Sequence, residues 1–113
     1  MKIDSYSFDR IVIDGKAYTS DVIIYPGRID ASWWRKEGHL LQLADLTEAL
    51  RAKPEVLIIG TGYSGVMRVP RETVDGIARQ GIEVKAERTS KAVEEFNELQ
   101  GKKIVIAALH ITC

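Results

Sequence analysis

The sequence predicts one α/β domain spanning residues 1–113, with helices packed on a sheet and an antiparallel β meander at its N-terminal end. Three observations predict it. The first third of the chain is built of short apolar runs separated by turn residues. From residue 45 onward, helical and strand patterns alternate, as they do where helices cover a sheet. The length, 113 residues, suits a single core and leaves little room for two.

The elements follow in order. Ile3, Tyr6 and Phe8 lead into Ile11-Val12-Ile13 as one extended stretch. Asp14-Gly15 marks a tight turn, because glycine accepts positive φ without a steric penalty. Lys16 to Thr19 returns as the partner strand. Val22 to Tyr25 adds a further strand of the meander. It stops at Pro26-Gly27, since proline has no N–H to give a ladder. Asp45-Leu46-Thr47-Glu48 reads as a capping box with Asp45 at the N-cap, followed by a face of Leu46, Ala49 and Leu50. Lys53-Pro54 ends that helix. Val56 to Ile59 is apolar on both faces, as a strand covered on both sides must be. Pro70 opens a helix where a missing amide costs nothing. Its expected buried stripe is Val74, Ile77 and Ala78, and Gly81 closes it. Ile82 to Ala86 alternates as a strand with one wet face. Thr89 or Ser90 caps the last helix, whose stripe is Ala92, Val93, Phe96 and Leu99 and whose end is Gly101. Ile104 to Ile111 is the most apolar strand and belongs at the centre of the sheet.

Composition removes several function classes. Sixteen basic residues balance sixteen acidic ones. A nucleic-acid binder needs an excess of Lys and Arg. No apolar run approaches the roughly 18 residues of a membrane helix. The N-terminus carries Asp4 where a signal peptide is apolar. The single cysteine, Cys113, forms no intrachain disulfide. The expectation is a cytoplasmic domain without nucleic-acid or membrane partners.

Two segments carry a family resemblance. One is Val56-Leu57-Ile58-Ile59-Gly60-Thr61-Gly62, and the other is Ala107-Ala108-Leu109-His110-Ile111-Thr112-Cys113. With Trp33-Trp34-Arg35 and Gly38-His39 upstream, nearly the whole chain resembles the adipogenesis-associated Mth-domain family, which also includes a mitochondrial respiratory complex I assembly factor. The resemblance implies a single three-layer α/β domain, with the β-rich N-terminal part laid against a central mixed sheet. It implies no established catalysis, and assembly or interaction roles for the members tied to biology. No Arg- and Ser-rich leader of mitochondrial type precedes the domain, so the organelle role is not carried over.

Few residues point to chemistry. Gly60-Thr61-Gly62-Tyr63-Ser64-Gly65 matches G-x-G-x-x-G after a strand. A dinucleotide site requires a helix to open inside that motif, and Pro70 places the helix start too late. Three readings remain: a structural turn, a loop holding a small anion with Arg68 as charge partner, or a dinucleotide site. Gly62-Tyr63-Ser64-Gly65 misses a nucleophile elbow by one position. Trp33-Trp34-Arg35-Lys36 with His39 reads as an interface or cleft rim, because exposed Trp and Arg concentrate binding energy. The competing reading closes one indole onto the core and pairs Arg35 with an acid. His110, on a strand apolar on both faces, reads as a hydrogen-bonded histidine more readily than as a base. Two histidines and one cysteine supply no standard metal set. No catalytic residue, cofactor or metal is assigned. Two function classes stand: a non-catalytic binding or assembly module centred on Trp33, Trp34, Arg35 and His39, with a protein partner or a homodimer; and a small-ligand or anion binder or enzyme at Gly60–Gly65, using Arg35, His39 and Arg68.

Overall fold

Alternation of apolar side chains in three strands sets the architecture of the computed structural model, which describes all 113 residues. Strands β1 (Ile3–Ser7), β2 (Arg10–Ile13) and β3 (Lys16–Tyr18) form a small antiparallel sheet in sequence order. Strands β4 (Val22–Tyr25), β5 (Arg28–Asp30), β6 (Val56–Thr61), β7 (Glu83–Glu87) and β8 (Val105–His110) form a mixed sheet in the order β5-β4-β8-β6-β7. The helices are α1 (Thr47–Arg51), α2 (Arg71–Ala78) and α3 (Thr89–Leu99). Strand β8 pairs antiparallel with β4 and parallel with β6. It is the middle strand, as its apolar character requires.

Each central strand sends alternate residues to opposite faces. Ile23, Tyr25, Leu57, Ile59, Ile106 and Ala108 join Leu46, Leu50 and Ile77 on the α1 and α2 side. Val22, Ile24, Val56, Ile58, Ala107 and Leu109 join Phe96 of α3 and Ile3, Ile11 and Ile13 of the small sheet on the other. The result is three layers with two cores. The folded surface is 6005 Å², close to the roughly 6,200 Å² that area scaling gives for a chain of this mass. No helix is long and apolar enough to cross a membrane.

Several expectations needed correction. The first extended stretch is a hairpin: Ser7 pairs with Arg10 across a turn in which Asp9 takes φ 62°. Strand β4 leaves the meander for the main sheet, where β8 offers a fully buried neighbour. Pro26-Gly27 stops β4 and also returns the chain as β5. The capping box sits one turn earlier than read. Asp45 occupies the third position of a 3₁₀ turn, Leu43–Leu46, and its Oδ2 accepts the Gln42 amide at 2.9 Å. In α2 the buried residues are Thr73, Gly76 and Ile77, while Val74 is half-buried and Ala78 exposed. The Asp14-Gly15 turn and the start of α2 after Pro70 stand where the sequence placed them.

Candidate functional site

The parallel pairing of β6 and β8 sets Thr61 beside His110 at the C-terminal ends of both strands. Ligands of open α/β sheets gather at such ends. The antiparallel pairing of β4 with β8 sets Val22 beside Leu109, so Asp21 arrives next to His110. The Asp21 carboxylate binds three donors. Its Oδ1 accepts the Ile111 amide at 2.8 Å, and its Oδ2 accepts from His110 Nδ1 at 2.9 Å and from Arg35 Nη2 at 2.9 Å. Two donors on one oxygen bring Arg35 Nη2 to 3.1 Å from His110 Nδ1.

Arg35 is delivered by its neighbours. The Trp33 amide donates to the Asp21 carbonyl at 3.2 Å, which ties the segment to the start of β4. The Trp33 indole packs into the core and donates Nε1–H to the Asp45 carbonyl at 3.0 Å. The Arg35 guanidinium lies over that indole, 4.5 Å from the ring centre. Its Nε and Nη2 donate to the Gly38 carbonyl at 3.2 and 3.0 Å. Arg35 is 8% exposed and His110 4%. Buried charges persist only when paired, and Asp21 is the pairing group. Burial pushes the Asp21 carboxyl up, but hydrogen bonds from His110 and the Ile111 amide, the His110 charge and Arg35 outweigh it and hold it below its ordinary value. One donor is left over: Arg35 Nη1 is buried without a partner. His39 is exposed, with its ring edge-on to His110 at 5.6 Å.

Across the strand end, the glycine loop meets the same residues through its main chain. Gly62 takes φ +112°, and a side chain there would come within 2.3 Å of the Cys113 carbonyl carbon. Only glycine allows that approach. The Gly62 amide donates to Thr89 Oγ1 at 2.9 Å, and that hydroxyl donates to the His110 carbonyl at 2.6 Å. Tyr63 N–H donates to the Thr112 carbonyl at 2.6 Å, and the Ser64 and Val66 amides converge on the Cys113 oxygen at 3.1 Å each. Gly65 N–H turns back to the Gly62 carbonyl at 3.3 Å. These five amides are all used inside the chain. Helix α2 opens at Arg71, so its N-terminus does not face the motif.

The structure therefore brings Trp33, Arg35 and His39 together with Asp21 and His110. It sets Gly60–Gly65 against Thr89 and residues 110–113. Arg68 meets the first group only through its main chain, its N–H donating to the His39 carbonyl at 2.8 Å, and it lines a groove of about 660 Å³ with Leu40, Leu43 and Glu72. Asp21 escaped the sequence reading because its partners lie 14 and 89 residues away. The one available signal was a lone acid at the mouth of a wholly apolar strand. No opening in the surface is lined by Asp21, Arg35 or His110. The triad is a clamp of two buried groups, Arg35 and His110, on a half-buried Asp21, with the His110 Nε2 edge facing Thr112 Oγ1 at 3.5 Å.

Exposed apolar groups surround the clamp. Phe8 stacks edge-on against Tyr63, with ring centres 5.9 Å apart, and Tyr6 approaches the same ring at 6.3 Å. Val66 is also exposed. The adjacent Asp9 amide donates to the Ile111 carbonyl at 2.9 Å, so this group flanks the end of β8. On the other flank Trp34, next to buried Arg35, is 75% exposed, whereas Trp33 is 7% exposed.

A family model described as a protein of unknown function (DUF498/DUF598) matches residues 3–110. Among solved structures, a conserved hypothetical protein from Pyrococcus horikoshii OT3 is 32% identical. Both chains are covered over 100% of their length, with a TM-score of 0.85. A structure titled an outer membrane protein from Bartonella henselae is 24% identical, covers 98% of this chain and 94% of its own, and has a TM-score of 0.82. A Bordetella pertussis protein described as a Mth938-like domain is 22% identical, with 97% and 85% coverage and a TM-score of 0.76. These last two show a common fold.

Proposed function

The chain belongs to the DUF498/DUF598 family of proteins of unknown function, and on that footing we propose that it is a non-catalytic binding module. Its recognition surface is the apolar rim around the end of β8: Trp34 on one flank, Phe8, Tyr63 and Val66 on the other. One observation carries this reading. Large apolar side chains stand in solvent at the strand end, while the imidazole and guanidinium beside them are buried and the acid that pairs them is half-buried. Exposed aromatics around a rigid centre suit the anchoring of a protein partner. The resemblance to a family that includes an assembly factor among its members is in keeping with a role in bringing other proteins together. The test compares affinity capture by wild type, Trp34→Ala, Phe8→Ala/Tyr63→Ala and the exposed control Arg51→Ala. Proteins lost with the rim variants and retained with the control support the reading. Identical captures from all four defeat it.

A second reading places a small anion at Gly60–Gly65. Arg88, Lys91 and Tyr63 line an opening of about 370 Å³ beside the loop, and Arg88 Nη2 donates to the Tyr63 carbonyl at 2.9 Å. This reading requires Thr112 and Cys113 to vacate the Tyr63, Ser64 and Val66 amides. Phosphate titration followed by amide shifts tests it. Shifts at Tyr63–Val66 favour it, and their absence at millimolar phosphate ends it.

A further inference from the structure

The main sheet ends in two edges with different charge patterns. Strand β7 presents Glu83, Lys85 and Glu87 in alternation. Strand β5 is Arg28-Ile29-Asp30. An edge strand exposes unpaired main-chain donors and acceptors and is a template for another strand. Strand β5 joins β4 through the two-residue loop Pro26-Gly27, in the register Tyr25↔Arg28, Ile24↔Ile29 and Ile23↔Asp30. In such a hairpin the pair closing the loop exchanges both main-chain bonds and the next pair exchanges none. The N–H and C=O of Ile29 therefore point away from β4, toward the open side.

A strand can pair antiparallel with its own copy about a two-fold axis through its middle residue. About Lys85, β7 would set Glu83 against Glu87 of the partner subunit and Lys85 against Lys85 of the partner subunit. Like charges directly opposite are destabilising, so this register is disfavoured. About Ile29, β5 sets Arg28 against Asp30 of the partner subunit, Ile29 against its own copy, and Asp30 against Arg28 of the partner subunit. Every pair is complementary. The Arg28 guanidinium is already held over the Tyr25 ring at 3.9 Å, with Glu48 Oε2 at 3.2 Å. Asp30 spends Oδ1 on the Ser32 amide at 3.0 Å, which leaves its second oxygen for a partner.

We propose that β5 is the contact surface for a second copy of this chain, the two mixed sheets joining antiparallel about Ile29 into one continuous sheet. A strand of three residues makes a small contact, so the dimer is weak and concentration-dependent. The experiment is sedimentation equilibrium of the full chain from micromolar to millimolar concentration. It compares wild type, Ile29→Pro, Arg28→Asp and the exchange Arg28→Asp/Asp30→Arg. Proline is tolerated in an edge strand whose N–H faces outward, so Ile29→Pro keeps the hairpin and removes the intersubunit donor. Expected are a wild-type dimer, a monomeric Ile29→Pro, association about tenfold weaker in Arg28→Asp, and recovery in the exchange variant. If circular dichroism shows that Ile29→Pro is unfolded, the charge variants decide. A wild-type monomer at millimolar concentration overturns the proposal. So does association unchanged in Arg28→Asp, or an exchange variant that stays as weak as Arg28→Asp.

Discussion

The end of β8 is gripped on two flanks by opposite means. On the β4 flank, side chains hold it: Asp21 takes the Ile111 amide, the His110 ring and the Arg35 guanidinium. On the β6 flank, the main chain holds it: amides of Tyr63, Ser64 and Val66 take the Thr112 and Cys113 oxygens. The first grip depends on charge and the second on a missing side chain. In sequence the glycine motif is the more conspicuous and Asp21 is silent. Conspicuous spacing therefore marks where the backbone needs room, and the electrostatic half of the same grip leaves no local pattern.

Removing one partner of the charged grip separates the flanks most sharply. Asp21→Ala leaves Arg35 buried without its counter-ion, and breaking buried pairs in this way costs about 3–5 kcal/mol. Urea unfolding measures it. A loss below about 1 kcal/mol would mean that water reaches Arg35 and that the pair acts as a surface one. The main-chain grip breaks at Gly62. Gly62→Ala puts a methyl into the Cys113 backbone at positive φ, with an expected loss of about 2–4 kcal/mol from strain and overpacking. Calorimetry of the variant reads it.

Acid should loosen the charged flank alone. The Asp21 carboxyl titrates below its ordinary value of 3.8 in the fold. Its contribution is complete above that value and is lost as pH falls through the lower, folded-state value. The stability gap between wild type and Asp21→Asn should accordingly shrink in acid, while the cost of Gly62→Ala should stay level over the same range. Parallel unfolding curves from pH 7 downward check both. The smallest effect belongs to the rim. Trp34→Ala should change stability by less than about 0.5 kcal/mol, as exposed substitutions do. A larger loss would place the indole in the core beside Trp33.

Much of the fold was legible. The apolar run of β8, the Asp14-Gly15 turn and Pro70 each act through local sterics that a sequence displays. What was hidden depended on distant partners. Strand β4 was read into the meander because its affinity for β8 is decided by residues more than 80 positions later. The turn at Phe8-Asp9 was missed because Asp9 accepts positive φ without the usual glycine. At the site, the adjacent tryptophans did divide between core and solvent. Arg35 went inside with Trp33, since only there do Gly38 and Asp21 supply acceptors for a buried guanidinium.

The place of β8 in the sheet also governs the order in which the chain can acquire its shape during synthesis. A ribosome releases Val22–Tyr25 long before Val105–His110, yet these strands are direct neighbours. Strand β6 waits for the same late arrival on one side and meets only β7 on the other. Until the last strand emerges, the nascent chain carries two apolar strands with open edges and no closed core on either face. The domain thus cannot close before β8 has emerged, and the exposed interval falls to whatever shields nascent chains from one another.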